Sequence, residues 1–317
     1  MAIKSALVQV EDFYTKHATE FGLKLLAGAA GLKRQIIEPT VNRPGLVLTG
    51  FTNYFAWKRI QVLGNADVYY LRSLKAEVRQ ARYRTLLKYK VPCLVFSRNL
   101  NPDKDLLREA ERVDVPIFQT HLITTKFINL ATLALDMMFA PRGTEIGSMV
   151  DILGVGVIIK GESGIGKSES VLALIERGYS LVADDVTKVM LVDGHDVIGT
   201  SAELTRDHME VRGIGIVNIA AMFGVKSIRK EKKVDLVISL KSWDEVTDVD
   251  RVGMDDQYLQ ILGIDIPHML IPVRPGRDLA RLIEVAAFQA KLKMSGYNPA
   301  KEFNDRLIAT MNKEPKL

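Results

Sequence analysis

Residues 161–168 carry the residue types and spacing of a phosphate-binding loop. They read Gly-Glu-Ser-Gly-Ile-Gly-Lys-Ser and match the pattern G-x-x-x-x-G-K-[ST] at every fixed position. In such a loop the backbone N–H groups converge on phosphate oxygens, the lysine reaches the β- and γ-phosphates, and the last hydroxyl holds Mg²⁺. We therefore predict a nucleotide-binding loop made of Gly161, Glu162, Ser163, Gly164, Ile165, Gly166, Lys167 and Ser168.

Two adjacent carboxylates, Asp184 and Asp185, follow the apolar residues 181–183. Because successive side chains of a strand point to opposite faces, one carboxylate could face Mg²⁺ and the other the acceptor hydroxyl, as phosphoryl transfer requires. The alternative is a turn with two solvated aspartates. The longer apolar run that normally precedes the metal-binding aspartate of a helicase or switch GTPase is only partly present, which disfavours those two classes.

The elements around the loop are those that phosphate binding requires. An apolar strand, residues 155–159, precedes the loop, and a helix beginning near Ser168 follows it. The N-terminus of that helix offers a further anion site. Farther along, we predict strand structure at 149–159 with a tight turn at its glycines, strands at 180–183 and 186–192, and a hairpin at Asp193-Gly194.

The chain before the loop has a different pattern, in which short apolar runs alternate with amphipathic ones. This alternation implies a parallel sheet whose faces are covered by helices. The region contains no phosphate loop, metal cluster or nucleophile motif. Residues 141–148 are a candidate linker, because proline and glycine there stop the preceding helix. The predicted strands are 46–49, 91–96 and 115–118, and the predicted helices are 75–89, 103–113 and 124–139.

Composition excludes several classes of protein. The 317 residues are 47% hydrophobic and 26% charged, which is typical of globular proteins and excludes a disordered, collagen-like or coiled-coil chain. The single cysteine, Cys93, cannot form an internal disulfide, and the sequence shows neither a signal peptide nor a membrane-spanning run. We therefore expect a cytoplasmic protein with no membrane partner. The net charge of +5 is a weak indication of an anionic partner.

Together these residues resemble one family, the bacterial HPr kinase/phosphorylases. These are bifunctional serine protein kinases whose nucleotide domain resembles that of phosphoenolpyruvate carboxykinase. The resemblance includes the phosphate loop and Asp184-Asp185, and it continues through blocks at 209–218, 243–253 and 271–277 in the family's order. It predicts an α/β protein with an N-terminal Rossmann-like α/β domain, residues 1–140, which is regulatory or serves assembly. A P-loop kinase domain follows at residues 141–317.

The resemblance implies a reaction, its cofactors and its partners. The chain would phosphorylate a regulatory serine of the phosphocarrier protein HPr, or of an HPr-like protein, with ATP or pyrophosphate as donor and with Mg²⁺. In reverse, inorganic phosphate would attack the phosphoserine and give pyrophosphate. This cycle would control carbon metabolism. The resemblance also implies a homo-hexamer.

The resemblance also implies roles for individual residues. Asp185 would be the acid–base group that takes the proton from the acceptor serine and returns it in the reverse direction. Lys167 would hold the nucleotide phosphates, Ser168 and Glu210 would bind Mg²⁺, and Arg251 would balance charge on the transferred group. From the sequence alone, Glu210 also fits an exposed turn position, and Arg251 fits a salt-bridged surface.

Three further residues are candidates, and two positions depart from the family pattern. Asp184 is a further candidate site residue beside Asp185. Arg274 and Arg277 flank a Pro-Gly loop suited to binding a phosphate.

Ile146 stands where most family members carry a histidine, and an isoleucine neither titrates nor donates a hydrogen bond. Asp278 stands where the family usually has asparagine.

These departures leave other functions open. One is a kinase that lacks the phosphorylase activity, and another is a non-catalytic ATP-binding sensor. Retention of Asp185, Glu210 and Arg251 argues against a sensor, which needs no base. Nucleic-acid binding is disfavoured because the basic cluster at 229–233 is interrupted by a glutamate and no aromatic RNA-binding module accompanies it. A small-molecule kinase remains as a further alternative.

Overall fold

The computed structural model describes residues 7–246 and 257–311 of the chain. The described residues form two compact units, an N-terminal unit that ends at Ala140 and a C-terminal unit that continues from Pro141. Both units combine sheets with helices, which confirms the α/β class. In this part of the chain no helix is long and apolar enough to cross a membrane.

The N-terminal unit contains a sheet covered by helices on both faces. Its elements are β1 (Val8–Gln9), α1 (Val10–Phe21), β2 (Lys24–Ala27), β3 (Gln35–Ile36), β4 (Val41–Asn42), α2 (Gly45–Thr49), β5 (Ile60–Leu63), α3 (Asn65–Ser73), α4 (Ala76–Lys88), β6 (Leu94–Phe96), α5 (Lys104–Arg112), β7 (Ile117–Gln119) and α6 (Thr124–Phe139). The sheet order is β2-β7-β6-β5-β4, with β4 to β7 parallel and β2 antiparallel to β7. Helices α1 and α6 cover one face, and α2 to α5 cover the other.

One predicted strand of this unit, residues 46–49, is wrong. These residues lie in the short helix α2, in which the Leu48 N–H donates to the Pro44 carbonyl at 3.1 Å. Gly50 ends the helix with a φ of +103°, a left-handed conformation that suits glycine. Val47 and Leu48 are buried while Leu46 is exposed. Four apolar residues are too few to show whether the period is that of a strand or a helix, and the capping residues decide it.

The C-terminal unit holds the phosphate loop. Its elements are β8 (Arg142–Ile146), β9 (Ser148–Ile152), β10 (Val155–Gly161), α7 (Lys167–Glu176), β11 (Ser180–Ala183), β12 (Val186–Val192), β13 (Asp196–Thr200), β14 (His208–Val211), β15 (Gly215–Asn218), α8 (Ile219–Phe223), β16 (Glu231–Lys233), β17 (Leu236–Ser242), β18 (Gln257–Ile261), β19 (Ile264–Val273), α9 (Leu279–Met294) and α10 (Pro299–Met311). The strands form a six-stranded sheet, β11-β9-β10-β17-β19-β18, a four-stranded sheet, β16-β13-β12-β8, and the hairpin β14-β15.

The six-stranded sheet brings the ends of several strands to one edge. Strands β10, β17 and β19 are parallel neighbours, and β9 runs antiparallel between β10 and β11. Strand β11 therefore points in the same direction as β10. Helices α7 and α9 cover one face of this sheet, and apolar residues of β12 and β13 pack against the other. The carboxyl edge of such a sheet is where ligands usually bind.

Two predictions for this unit had opposite outcomes. The predicted linker at 141–148 is wrong, because β8 pairs antiparallel with β12 from Arg142 to Ile146. Proline and glycine mark the end of the preceding helix, but the residues after them alternate in burial as a strand does. The predicted hairpin is confirmed. Asp193 and Gly194 have φ values of +52° and +74°, as a type I′ turn requires.

Gly156 allows a close approach between two backbones of the C-terminal unit. Its N–H donates to the Asp235 carboxylate at 2.8 Å. A Cβ at this position would lie 1.9 Å from the Lys233 carbonyl oxygen, which belongs to a strand of the other sheet. The backbone cannot yield as a side chain does, so the position excludes every residue larger than glycine.

We predict that Gly156→Ala destabilises the C-terminal unit by about 2–3 kcal/mol, because the methyl group forces the two strands apart. Urea unfolding followed by circular dichroism measures this. Gly143→Ala is the matched control, since a Cβ there would lie 3.1 Å from Leu262 Cδ2, the end of a side chain that can rotate. The control should cost less than about 1 kcal/mol. Equal losses in the two variants would contradict the interpretation.

Candidate active site

The phosphate loop connects β10 to α7 in the way that anion binding requires. Gly161 ends the strand, and Lys167 begins the helix. Gly166 precedes the helix with a φ of +101°, a conformation that L-residues rarely adopt. The loop and the first turn of α7 therefore present backbone N–H groups to one region at the carboxyl edge of the sheet.

Two cations lie on this loop. The Lys167 ammonium donates to the Gly161 carbonyl at 3.0 Å, so the charge lies over the loop itself. The Arg212 guanidinium donates to Ser163 Oγ. Sequence reasoning gave Arg212 no role, although it lies in the block at 209–218, because nothing local indicates that the turn between β14 and β15 reaches the loop. A guanidinium is a planar donor well suited to phosphate oxygens.

Asp184 is a half-buried carboxylate that connects three segments. It follows β11, and its oxygens accept hydrogen bonds from Ser148 Oγ at 2.9 Å and from the Glu210 N–H at 3.0 Å. Burial raises the pKa of Asp184 above its usual range, and the hydrogen bonds partly oppose this rise. Asp184 is therefore not one of two solvated aspartates in a turn. It links the start of β9 to the β14-β15 hairpin.

Asp185 has a different environment from its neighbour. It is exposed, and its φ of +53° is unusual for a residue other than glycine. The Val186 N–H donates to the Asp184 carbonyl at 2.5 Å, which closes a tight turn around Asp185. The Gly147 N–H donates to the Asp185 carbonyl at 2.7 Å, and the Asp185 N–H donates to Ser148 Oγ at 3.1 Å. The backbone of Asp185 is thus fixed while its carboxylate stays accessible.

The two residues predicted to bind Mg²⁺ lie on elements that pack together. Ser168 is in the first turn of α7, Glu210 is an exposed residue of β14, and these two elements are in contact. Within residues 7–246 and 257–311, no group of three or more His, Cys, Asp or Glu side chains could hold a metal ion. A hydroxyl and one carboxylate nevertheless fit Mg²⁺, which usually takes one or two carboxylates and completes its ligands with substrate phosphates and water.

Two of the three remaining arginine candidates lie in the described part of the chain, where they contact neighbouring groups. Arg251 lies outside the described residues. The Arg274 guanidinium stacks 3.4 Å from the centroid of the Trp243 ring, and an Arg277 guanidinium nitrogen donates to the Pro272 carbonyl at 3.2 Å. Both arginines are exposed near the carboxyl ends of β17 and β19. The structure thus shows their loop contacts and leaves their role in phosphate binding a prediction.

The two positions that depart from the family pattern also have defined surroundings. Ile146 is 77% exposed and pairs with Val186, beside Asp185. Asp278 accepts from the Arg281 N–H at 3.0 Å, which caps α9, and from the Arg177 guanidinium at 2.8 Å. These contacts lower the pKa of Asp278. In this chain, the carboxylate at position 278 has a structural use.

Comparison with known proteins gives consistent results for both units. Residues 8–135 match a family model described as HPr Serine kinase N terminus, and residues 137–307 match one described as HPr Serine kinase C-terminal domain. An HPr kinase/phosphorylase from Geobacter sulfurreducens is 44% identical over 94% of each chain. One from Caldanaerobacter subterraneus subsp. tengcongensis is 39% identical over 91% of this chain and 95% of the relative.

A solved structure is also similar. It is the Hpr(Ser) kinase/phosphatase from Coxiella burnetii, which is 36% identical. The alignment covers 51% of this chain and 98% of that one, with a TM-score of 0.46.

We predict that Asp184→Asn changes the pH dependence of stability. Below the unfolded pKa of 3.8 the carboxyl is protonated in both states. As the pH rises through the raised pKa of Asp184, ionisation is easier in the unfolded chain, and the carboxyl progressively destabilises the fold. Urea titrations give the free energy of unfolding of the unmodified protein and of Asp184→Asn. The first minus the second should fall as the pH rises from 3.8 through the raised pKa of Asp184.

Asp278→Asn is the matched control, because its contacts lower the pKa of the carboxyl. For Asp278 the corresponding difference should rise with pH below the unfolded pKa of 3.8, since the folded state loses its proton first, and should be constant above it. Slopes of the same sign in the two variants would contradict the assignment.

Proposed function

The chain belongs to the HPr serine kinase family, and from this premise we propose that it phosphorylates a regulatory serine of the phosphocarrier protein HPr. It is an enzyme that transfers phosphoryl groups, as its relatives named HPr kinase/phosphorylase are. The proposed donor is ATP with Mg²⁺, or pyrophosphate, and the proposed reverse reaction is phosphorolysis. The homo-hexamer and the control of carbon metabolism stay predictions from the family resemblance.

The observation that carries this proposal is the position of Asp185 relative to the phosphate loop. Strand β11 ends just before Asp184 and Asp185, and β10 ends at Gly161, where the loop begins. The two strands point the same way in one sheet with only β9 between them. An accessible carboxylate and a donor-binding loop therefore share one edge, as transfer to a hydroxyl requires.

In the forward direction, each group has one task. Negative charge on the donor phosphates and on the transferred group is offset by the loop N–H groups, by Lys167 and by Arg212. Ser168 and Glu210 would hold Mg²⁺, which would supply positive charge to the donor phosphates. The Asp185 carboxylate accepts the proton of the serine hydroxyl while the serine oxygen attacks the γ-phosphorus of ATP. ADP then leaves.

In the reverse direction, the same groups act on inorganic phosphate held by the loop. A phosphate oxygen attacks the phosphorus of phosphoserine, the bond from phosphorus to the serine oxygen breaks, and pyrophosphate forms. Asp185 returns its proton to the serine oxygen. No hydrolytic water is needed, so one site can serve both directions. Arg251, Arg274 and Arg277 are proposed to assist with charge, and Ile146 cannot donate a proton in either direction.

A non-catalytic sensor explains the site less well. A sensor needs the loop but has no use for an accessible carboxylate. The backbone of Asp185 is held by Gly147 and Ser148 while its carboxylate is exposed, which suits a group that must be presented to a substrate.

We expect labelled ATP and Mg²⁺ to transfer the label to HPr when its regulatory serine is present. With that serine replaced by alanine, HPr should remain unlabelled. Gel autoradiography of the two HPr forms checks this directly. Label on the alanine form, or on neither form, would overturn the proposed function.

We expect Lys167→Ala to abolish nucleotide binding, measured by calorimetry, because it removes the principal charge on the loop.

Asp185→Asn should leave ATP affinity within about threefold and lower transfer by about 10²–10⁴-fold, as loss of an acid–base group does. The loss should apply equally to pyrophosphate formation from phosphorylated HPr and phosphate.

Asp193→Asn is the control for Asp185→Asn, because Asp193 is an aspartate with nearly the same φ, +52°, in the hairpin turn between β12 and β13. Its activity should be unchanged. Full activity of Asp185→Asn would contradict the assigned role.

A further inference from the structure

A salt bridge joins the two sheets of the C-terminal unit beside the site. The Lys160 ammonium, on β10, lies 2.5 Å from a carboxylate oxygen of Glu145, on β8. The side chains are only 25% and 20% exposed, respectively. Most surface pairs contribute little, but a largely buried pair has a stronger attraction and a high cost when one partner is lost. Neither residue has a role in the proposed chemistry.

Each partner adjoins one half of the site along the chain. Lys160 directly precedes Gly161, with which the phosphate loop begins. Glu145 stands two residues before Gly147, whose N–H holds the Asp185 carbonyl at 2.7 Å. The salt bridge therefore connects the strand that carries the phosphate loop to the segment that fixes the backbone of Asp185.

The segment between the two halves is closely packed. A Cβ on Gly147 would lie 2.7 Å from the Ile159 carbonyl oxygen and 3.2 Å from Lys160 Cγ. The Gly147 carbonyl in turn accepts from Thr187 Oγ1 at 2.8 Å. Gly147 thus packs directly against the backbone of Ile159 and the side chain of Lys160, so a shift of Lys160 is expected to move Gly147 as well.

Lys160 lies close enough to a partly buried histidine for its charge to be felt there. His268, on β19, lies on the same face of the sheet and has a hydrogen bond of 2.8 Å with Ser239 Oγ. Its pKa is lowered by burial and by the charges of Lys160 and Lys241. Lys160 therefore lies in a cationic region of the sheet, where the carboxylate of Glu145 offsets part of its charge.

We propose that Glu145 and Lys160 are positioning residues, whose ion pair fixes the distance between the phosphate loop and the carboxylate of Asp185. The inference rests on the proposed function, in which Asp185 is the acid–base group. In-line transfer depends strongly on this distance, and a misplacement of about 1 Å can lower the rate by about 10²-fold. Neither side chain belongs to the phosphate loop, so the pair would act through the backbone.

The test is a double-mutant cycle with Glu145→Gln, Lys160→Met and the double variant, assayed for transfer from ATP to HPr. Each single variant should lower kcat by about 10–100-fold and change the KM for ATP by less than about threefold. The double variant should be no slower than the slower single variant, because residues that act as a unit are not additive. Lys160→Arg, which keeps the charge, should restore kcat to within about threefold.

Lys233→Met is the matched control. Lys233 lies 2.6 Å from an Asp196 carboxylate oxygen in the four-stranded sheet, away from the phosphate loop. Its loss should leave kcat unchanged. Melting temperatures of all variants separate a loss of stability from a loss of rate.

Three results would overturn the inference. Lower melting temperatures with unchanged kcat would make the pair only structural. A raised KM for ATP in Lys160→Met alone would make Lys160 a phosphate ligand. Additive losses would show that the two residues act separately. If the unmodified protein does not label HPr, the proposed function fails and this inference with it, whereas normal labelling with any of the three results overturns the inference alone.

Discussion

The half-buried carboxylate of Asp184 is the group on which the arrangement of the candidate site depends. It accepts hydrogen bonds from Ser148 at the start of β9 and from Glu210 on β14. Removing a carboxylate from water is costly, and hydrogen bonds from these donors offset that cost. The β14-β15 hairpin, which carries Glu210 and leads to Arg212, is thereby fixed next to the end of β11. The phosphate loop receives its second cation from this hairpin.

The two adjacent aspartates have different environments at the end of one strand, and only Asp185 is placed for the proposed chemistry. Asp184 is bonded and has a raised pKa, while Asp185 is exposed in a turn with a positive φ. The Asp185 N–H donates to Ser148 Oγ and the Asp185 carbonyl accepts from the Gly147 N–H, and these two bonds oppose the strain of that turn. An acid–base group must reach its substrate, whereas the group that orders the site must be shielded from water. The two positions just past the end of β11 meet both needs, because Asp184 is held by hydrogen bonds and Asp185 is exposed in the turn.

Local signals in the sequence were reliable where they depend on few residues close together. The phosphate loop, the hairpin at Asp193-Gly194 and the helix Thr124–Phe139 all follow from spacing, turn residues and helical period. The predictions for residues 46–49 (a strand) and 141–148 (a linker) were wrong, because short apolar or Pro-Gly segments are compatible with more than one structure. Pairing with β12 makes the second segment a strand, and that partner lies some 40 residues away in the chain.

The sequence by itself indicated the class of enzyme, since the loop pattern is typical of phosphate binding and the order of the motifs indicates the family. It also supplied the candidate residues Lys167, Ser168, Asp185 and Glu210. Only the tertiary structure decided how these residues are held. The different environments of Asp184 and Asp185, the contact of Arg212 with Ser163, and the salt bridge between Glu145 and Lys160 all join residues distant in the chain. Such contacts depend on strand order and register, which local residue patterns do not encode.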